Sequence, residues 1–300
     1  MNSLKKAIIS IGMSVFFLFF LCSAGRGQGL KLGFKFTGGI NYQLLGDGDA
    51  NLRGLQMHTA DFINANSGYT LEQSVIPLVA HFGYEFDADV IIFLTPQFGI
   101  SLGTGYVRGG TLFGSGYQRV TTASTEETWS FDVAASATPI KVGIYYTFSS
   151  VFVAKGKKSS YLFAGIGLYS AKYSSLEKYT HQTYWENFSD TAKASGIGFF
   201  AGYGGESWIN PHFATIYEIS GRYANIGGFT GNRQINNNGI LFSDSGKLYF
   251  FEWQASNTGN WYPGTEVSAD VPSGSNRRNA REAKIDLSGV GFKFGIKINF

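Results

Sequence analysis

Four histidines, His58, His81, His181 and His212, are the natural starting point for any catalytic chemistry in this chain. An imidazole activates a serine hydroxyl when both project from one strand face, histidine two residues before serine. None of the four has serine at that spacing. A second arrangement draws histidine, aspartate and serine from loops, and His58 with Asp61 is the pair that comes nearest to it. His81 reads as a strand residue pointing inward, where a lone histidine serves as a hydrogen-bonded packing group. Asp47-x-Asp49-x-Asn51 opens like a calcium loop. Position six is Leu52 where glycine is needed and position twelve is His58 where glutamate is needed, so a turn is expected instead. Cys22, the single cysteine, falls inside the N-terminal apolar segment, which leaves no thiol for disulfides or catalysis after its removal. The residues therefore predict no catalytic, cofactor-binding or metal site and no enzyme.

Charges follow a different pattern. Lys35, Glu85, Lys141, Glu218, Arg222, Lys293 and Lys297 alternate with apolar residues along their segments. Arg277, Arg278, Arg281 and Lys284 form a separate basic cluster before the last segment, a candidate contact to lipid phosphates.

The elements that must position these groups have a period of two. Val290, Phe292, Phe294, Ile296, Ile298 and Phe300 share one face, against Gly291, Lys293, Gly295, Lys297 and Asn299. The first such segment places Leu30 to Leu44 against Lys31, Lys35, Thr37, Asn41 and Gln43. A second runs from Ile76 to Phe86, and a turn at Asp87–Asp89 leads to a third from Leu94 to Tyr106. The fourth runs from Phe131 to Phe148, with a phase slip at Thr138-Pro139 that reads as a bulge. The fifth, Tyr161 to Tyr173, is apolar on both faces and leaves its sides unassigned. The sixth and seventh are Ile197–Tyr203 and Phe213–Tyr223. Eight strands result, with connections alternating long and short, as in membrane barrels. Leu241–Trp253 would add a hairpin and make ten; eight is preferred.

Composition agrees with an all-β, eight-stranded antiparallel up-and-down transmembrane barrel with long outer loops. The chain has 40 Gly, 27 Phe and 17 Tyr against 6 Pro, and only 15% of residues are charged. Beyond the N-terminus no apolar run reaches the roughly 20 residues of a membrane helix. Lys5-Lys6, the apolar run Ala7 to Leu21 and the small residues Ser23, Ala24 and Gly25 read as a secretory signal. Residues 1–28 are then the signal peptide and 29–300 the barrel domain. With Lys5, Lys6 and Arg26 set aside, basic and acidic residues balance, so nothing favours nucleic acid.

An eight-stranded barrel is filled by its own side chains. The alternating charges are expected inside it, since charge toward lipid at mid-bilayer costs roughly 2–4 kcal/mol, and a salt-bridged plug is expected rather than a conducting lumen. Tyr42, Tyr106, Tyr146, Tyr161, Trp208 and Phe300 read as interface girdle residues. Tyr249, Phe250, Phe251, Trp253, Trp261 and Tyr262 in the last loop suit either a recognition surface or packing of the loops on each other.

Ala137-Thr138-Pro139-Ile140-Lys141-Val142-Gly143-Ile144-Tyr145-Tyr146, a basic turn with Lys155–Lys158, then Tyr161-Leu162-Phe163-Ala164-Gly165-Ile166-Gly167 resemble the small outer-membrane β-barrel domain common in Bacteroidota. Ile76-Pro77-Leu78 and Glu218-Ile219-Ser220-Gly221-Arg222-Tyr223 fit the same pattern. That broad family includes PorT-like proteins and is related in shape to OmpA/OmpX-type barrels. The resemblance, with Phe292, Phe294, Ile296, Ile298 and Phe300 as an assembly signal, implies export to the outer membrane of a Gram-negative bacterium. The partners it implies are outer-membrane lipid, lipopolysaccharide and the barrel-assembly machinery, with a surface or secretion-system protein beside them. The expected role is non-enzymatic, binding or envelope structure through surface loops. The alternatives, in order, are an accessory part of a PorT-like secretion apparatus, a narrow pore and a lipid A-modifying enzyme.

Overall fold

The computed structural model describes residues 31–65, 70–75, 81–110, 116–121, 126–148, 158–210, 212–256 and 258–300. The N-terminal segment read as a secretory signal, Ile76 to Ala80 of the expected second strand, and Lys155 and Lys157 lie outside the described residues. The described chain forms one helix, α1 (Asp47–Ala65), and sixteen strands. The first eight are β1 (Lys31–Gln43), β2 (Thr70–Val75), β3 (Phe82–Phe93), β4 (Phe98–Gly110), β5 (Gly116–Thr121), β6 (Glu126–Phe148), β7 (Lys158–His181) and β8 (Tyr184–Trp208). Then follow β9 (Phe213–Tyr223), β10 (Asn225–Ile226), β11 (Thr230–Asn237), β12 (Ile240–Gln254), β13 (Trp261–Ser268), β14 (Arg277–Glu282), β15 (Ile285–Asp286) and β16 (Gly289–Asn299).

Eight of these close a ring through antiparallel ladders, in the order β1, β3, β4, β6, β7, β8, β9, β16 and back to β1. Closure pairs every edge, which is what a sheet in hydrocarbon requires. Leu241–Trp253 does not enter the ring. It belongs to β12, which pairs β11, β13 and β14 above the barrel, so the barrel has eight strands.

The outer wall carries exposed Phe36, Ile40, Phe86, Leu102, Val142, Ile144, Leu162, Ile166, Phe199, Ile219, Phe292 and Phe294, with every ring strand contributing. The inner wall carries the charges. β7, unassigned from sequence, turns Leu162 and Ile166 outward and buries Tyr161, Phe163, Tyr169 and Tyr173 inward. The inward rings fit because β8 faces them with glycine. Tyr161 lies directly opposite Gly204 and Phe163 opposite Gly202, and a Cβ on Gly204 would sit 2.3 Å from the Tyr161 ring.

Two expectations about the strands are corrected. Asp87–Asp89 is no turn. β3 runs through it to Phe93, and the reversal comes at Leu94–Gln97. Nor is there a bulge at Thr138-Pro139. The β6–β7 ladder keeps one register from Glu127 opposite His181 to Phe148 opposite Ser160, and β4–β6 resumes unshifted past the proline, which has no N–H to give. Odd residues of β6 face inward on both sides of Pro139. What inverts there is polarity. Below Pro139 the inward residues include Lys141 and the outward ones are Ile140, Val142 and Ile144. Above it the inward residues are Phe131, Val133, Ala135 and Ala137, and Asp132 and Ser136 look out. The strand keeps its register while leaving one solvent for another.

β6, β7 and β8 are 23, 24 and 25 residues long, more than twice the roughly 9–11 that cross a bilayer. Their upper halves build a cap with β11 to β14, β2, β5 and α1. The polar stretches read as loops at 174–193 and 225–284 are therefore largely strands, and much of the stretch after Leu44 is α1. Asp47 and Asp49, expected in a turn, form the first turn of that helix, where carboxylates suit its positive end. The cap has its own apolar core, in which Leu45, Leu52, Phe131, Val133, Tyr173, Ile226, Phe229, Leu248, Val267 and Ile285 are buried together.

Candidate functional site: the lumen and its cap

Glu85, Asp87 and Asp89 stand at every second residue of β3, so all three carboxylates enter the lumen in a column. β16 supplies Lys293 and Lys297, β1 supplies Lys35, β6 supplies Lys141, and β9 supplies Glu218 and Arg222. All seven charged residues expected inside the barrel are brought together there. Three more join them: Asp87, Asp89 and Glu206.

The contacts form a lattice. Lys141 Nζ donates to Asp87 Oδ1 at 2.6 Å and lies 3.2 Å from Asp89. Lys293 Nζ donates to Asp87 Oδ2 at 2.7 Å and lies 3.5 Å from Glu85 and 3.6 Å from Glu218. Lys35 Nζ donates to Glu218 Oε1 at 2.6 Å and lies 3.1 Å from Asp89. Arg222 Nη1 donates to Glu85 Oε2 at 2.9 Å. Lower down, Lys297 Nζ and the Tyr145 hydroxyl both donate to Glu206 Oε1, at 2.5 and 2.6 Å. The Tyr161 hydroxyl donates to Glu218 Oε1 at 2.7 Å.

Five cations thus meet five carboxylates among the described residues, and the lumen is neutral. The space left between them is a cavity of about 40 Å³ lined by Lys35, Asp87, Asp89, Lys141 and Lys293, room for about three waters. Tyr145, Tyr161, Phe163 and Ile91 fill the lumen below. Tyr161, expected at the membrane interface, is wholly buried. Trp208, expected beside it, donates its indole N–H to Ser159 Oγ at 3.2 Å, 5.7 Å from Lys297. Tyr42, Tyr146 and Phe300 do lie exposed at strand ends.

No protein-family model and no curated protein sequence matches this chain. Among solved structures it is similar to the outer membrane protease OmpT from Escherichia coli, at 10% identity over 90% of this chain and 95% of that one, with a TM-score of 0.23. So distant a likeness adds nothing to what the strands themselves show.

The histidines are spread around the molecule. His81 sits at the barrel mouth just before β3 rather than inside the lumen. It contacts the Gln43 carbonyl at 2.9 Å and Asp49 at 3.5 Å, with Tyr42 against its ring. His181 pairs with Glu127 at 2.9 Å near the top of the β7–β8 hairpin. His212 Nδ1 lies 3.0 Å from the Asn299 carbonyl beside the β8–β9 turn. His58 packs on Trp253 and Tyr262, and burial lowers its pKa. Asp61, its expected companion, accepts instead from the Tyr262 hydroxyl at 2.8 Å and from Asn260 at 3.0 Å.

The arginines of the basic cluster pair with carboxylates of the cap, while Arg278, Arg281 and Lys284 stay exposed. Arg281 grips Asp47 with two bonds of 2.7 Å, while the Lys284 amide donates to the same carboxylate. Arg278 pairs with Glu252 at 2.6 Å, and Arg277 pairs with Glu266. Their planes also cover aromatics: Arg278 lies over Trp261, Arg281 over Phe250 and Arg277 over Phe251. Tyr249, Phe251 and Tyr262 are buried. Of the two uses open to these aromatic residues, packing the cap takes most of them.

Sequence reasoning missed Asp87 and Asp89 because acidic residues near a glycine-poor reversal read as turn residues. The signal was present. The period of two continues through them, with Phe86, Ala88 and Val90 on the opposite face. Glu206 lay past the last strand residue assigned, and only the observed length of β8 brings it inward.

Proposed function

We propose that this is a non-enzymatic outer-membrane protein in which a plugged eight-stranded barrel anchors a folded cap on the outer surface, and the cap does the binding. The neutral ion-pair lattice carries this reading. A lumen whose every cation is engaged by carboxylates, with space for about three waters, offers no continuous aqueous path. Moving an ion through it means breaking buried pairs, at several kcal/mol each. The apolar outer wall calls for lipid around it, and the cap, with its own core and helix, is far larger than barrel closure needs. Outer-membrane lipid and lipopolysaccharide surround the wall in this reading, and the assembly machinery handles the chain during biogenesis.

Planar-bilayer recording tests it. The purified full chain is expected to show no steady ohmic conductance. A stable open level in the unmodified protein would replace the plug with a pore.

A further inference from the structure

Most of the exposed large apolar residues encircle the ring strands. Away from them, Met57 of α1 and Val271 after β13 stand alone in sequence, whereas Ile240, Leu241 and Phe242 come consecutively at the start of β12 and are 63%, 62% and 57% exposed. Phe242 pairs with Ile235 of β11, which pairs with Phe188 of β8. Phe188 stands nine residues up β8 from Ile197, the last exposed apolar residue of the outer wall on that strand, about 30 Å of chain. Lipid that covers the wall does not reach this tip.

The backbone there is also unfinished. β11 and β12 join through a two-residue turn, Asn238 and Gly239, both at positive φ (48° and 90°), the geometry of a tight hairpin. Asn237 and Ile240 flank that turn as the hydrogen-bonded pair, so Ile240, Phe242 and Asp244 address β11. Leu241 and Ser243 therefore aim their N–H and C=O groups the other way. On that side the first strand among the described residues is β13, whose pairing begins only at Lys247, while β14 follows β11 on the opposite side. Ser245, of the same parity, already turns its amide to the Asp244 side chain at 2.7 Å. The usual guards of an open edge, lysine or proline, are absent from Ile240–Gly246.

We propose that the Ile240–Ser243 edge of β12 is a docking site for an extended segment of another polypeptide, which adds as a strand beside Leu241 and Ser243 and covers Ile240, Leu241 and Phe242. An open edge is matched by a strand and by little else, because only extended backbone offers donors and acceptors at its spacing. A second copy of this chain is a poorer occupant. Two copies in one membrane are related by an axis along the membrane normal, which sets like strands parallel and not antiparallel. The inference rests on the reading that the cap faces outward and binds.

The test uses the full-length protein in detergent micelles and a phage-displayed library of random twelve-residue peptides. Enriched peptides are expected to alternate branched apolar and polar residues and to slow amide exchange at Leu241 and Ser243. Leu241→Pro removes an open-edge donor without removing a β11 bond, so it should weaken their binding at least tenfold. Ile240→Ser with Phe242→Ser, which leaves the backbone intact, should weaken it as well. Heat-modifiable gel mobility identifies the variants that retain a folded barrel. Peptides that bind Leu241→Pro as tightly as the parent would overturn the strand geometry. No enrichment over the doubly substituted protein would overturn the site. A dimer that Leu241→Pro dissociates would hand the edge to a second copy. None of these outcomes depends on conductance, so the plug and the edge fail separately.

Discussion

Asp87 accepts from two lysines at once, Lys141 and Lys293, so its loss takes from each of them its shortest ion pair. Asp87→Asn should destabilise the barrel by about 3–5 kcal/mol, the cost of leaving a buried partner unpaired. Adding Lys293→Met should recover part of that loss, and urea unfolding in lipid of the two single variants and the double would measure the coupling. Higher up, β7 and β8 bring Glu177, Glu186 and Asp190 near Arg233, which itself pairs with Glu266 at 2.5 Å. Burial, partly offset by Arg233, pushes the Glu177 carboxyl up to about 7 and that of Asp190 up to about 6. Both then hold protons more tightly folded than unfolded, so cap stability is highest at low pH and declines as pH rises from about 4 to about 7. Glu177→Gln should equal the parent at pH 4 and exceed it at pH 8 by about 1–3 kcal/mol. Hydrogen exchange of the β7–β8 hairpin at both pH values reads this directly.

At the scale of elements, the pairing of β7 with β8 is the most exacting fit. Rings on one strand enter glycine gaps on the next, and Gly204 has no room for a Cβ against Tyr161. Gly204→Ala should push Tyr161 off Glu218 and cost about 1–3 kcal/mol. Tyr161→Phe in the same background should add less than it does alone. α1 makes a comparable fit to β13: a Cβ on Gly54 would fall 1.8 Å from the Pro263 carbonyl oxygen. Buried Asn51 ties the two together, accepting from the Thr265 amide at 3.1 Å and donating to the Tyr173 hydroxyl at 3.3 Å.

Across the whole molecule there are two cores with opposite chemistry stacked on one set of strands. Below Pro139 the interior is ionic, and above it the interior is apolar. Within the cap, α1 is held to β14 by Arg281 and Asp47, with the Lys284 amide on the same carboxylate. Arg281→Ala should therefore loosen α1 without opening the ring. Limited proteolysis is expected to cut the segment around α1 faster in the variant, while heat-modifiable mobility of the barrel stays unchanged. Equal cutting rates would mean that the apolar core alone fixes the helix.

The sequence by itself determined the barrel, because strict alternation over β1, β9 and β16 requires an apolar wall and a polar lumen. It also placed Lys35, Glu85, Lys141, Glu218, Arg222, Lys293 and Lys297 on the inward side. It could not finish the lattice, since whether Asp87 and Asp89 turn or continue depends on a partner strand that local composition does not name. Nor could it read Pro139, where a change of surroundings imitates a slip of phase. Apart from Leu241–Trp253, which already read as a possible hairpin, the cap was decided by tertiary structure. β11 and β14 are polar almost throughout, a pattern like that of a loop, and only pairing with β8 and β12 shows that they are strands.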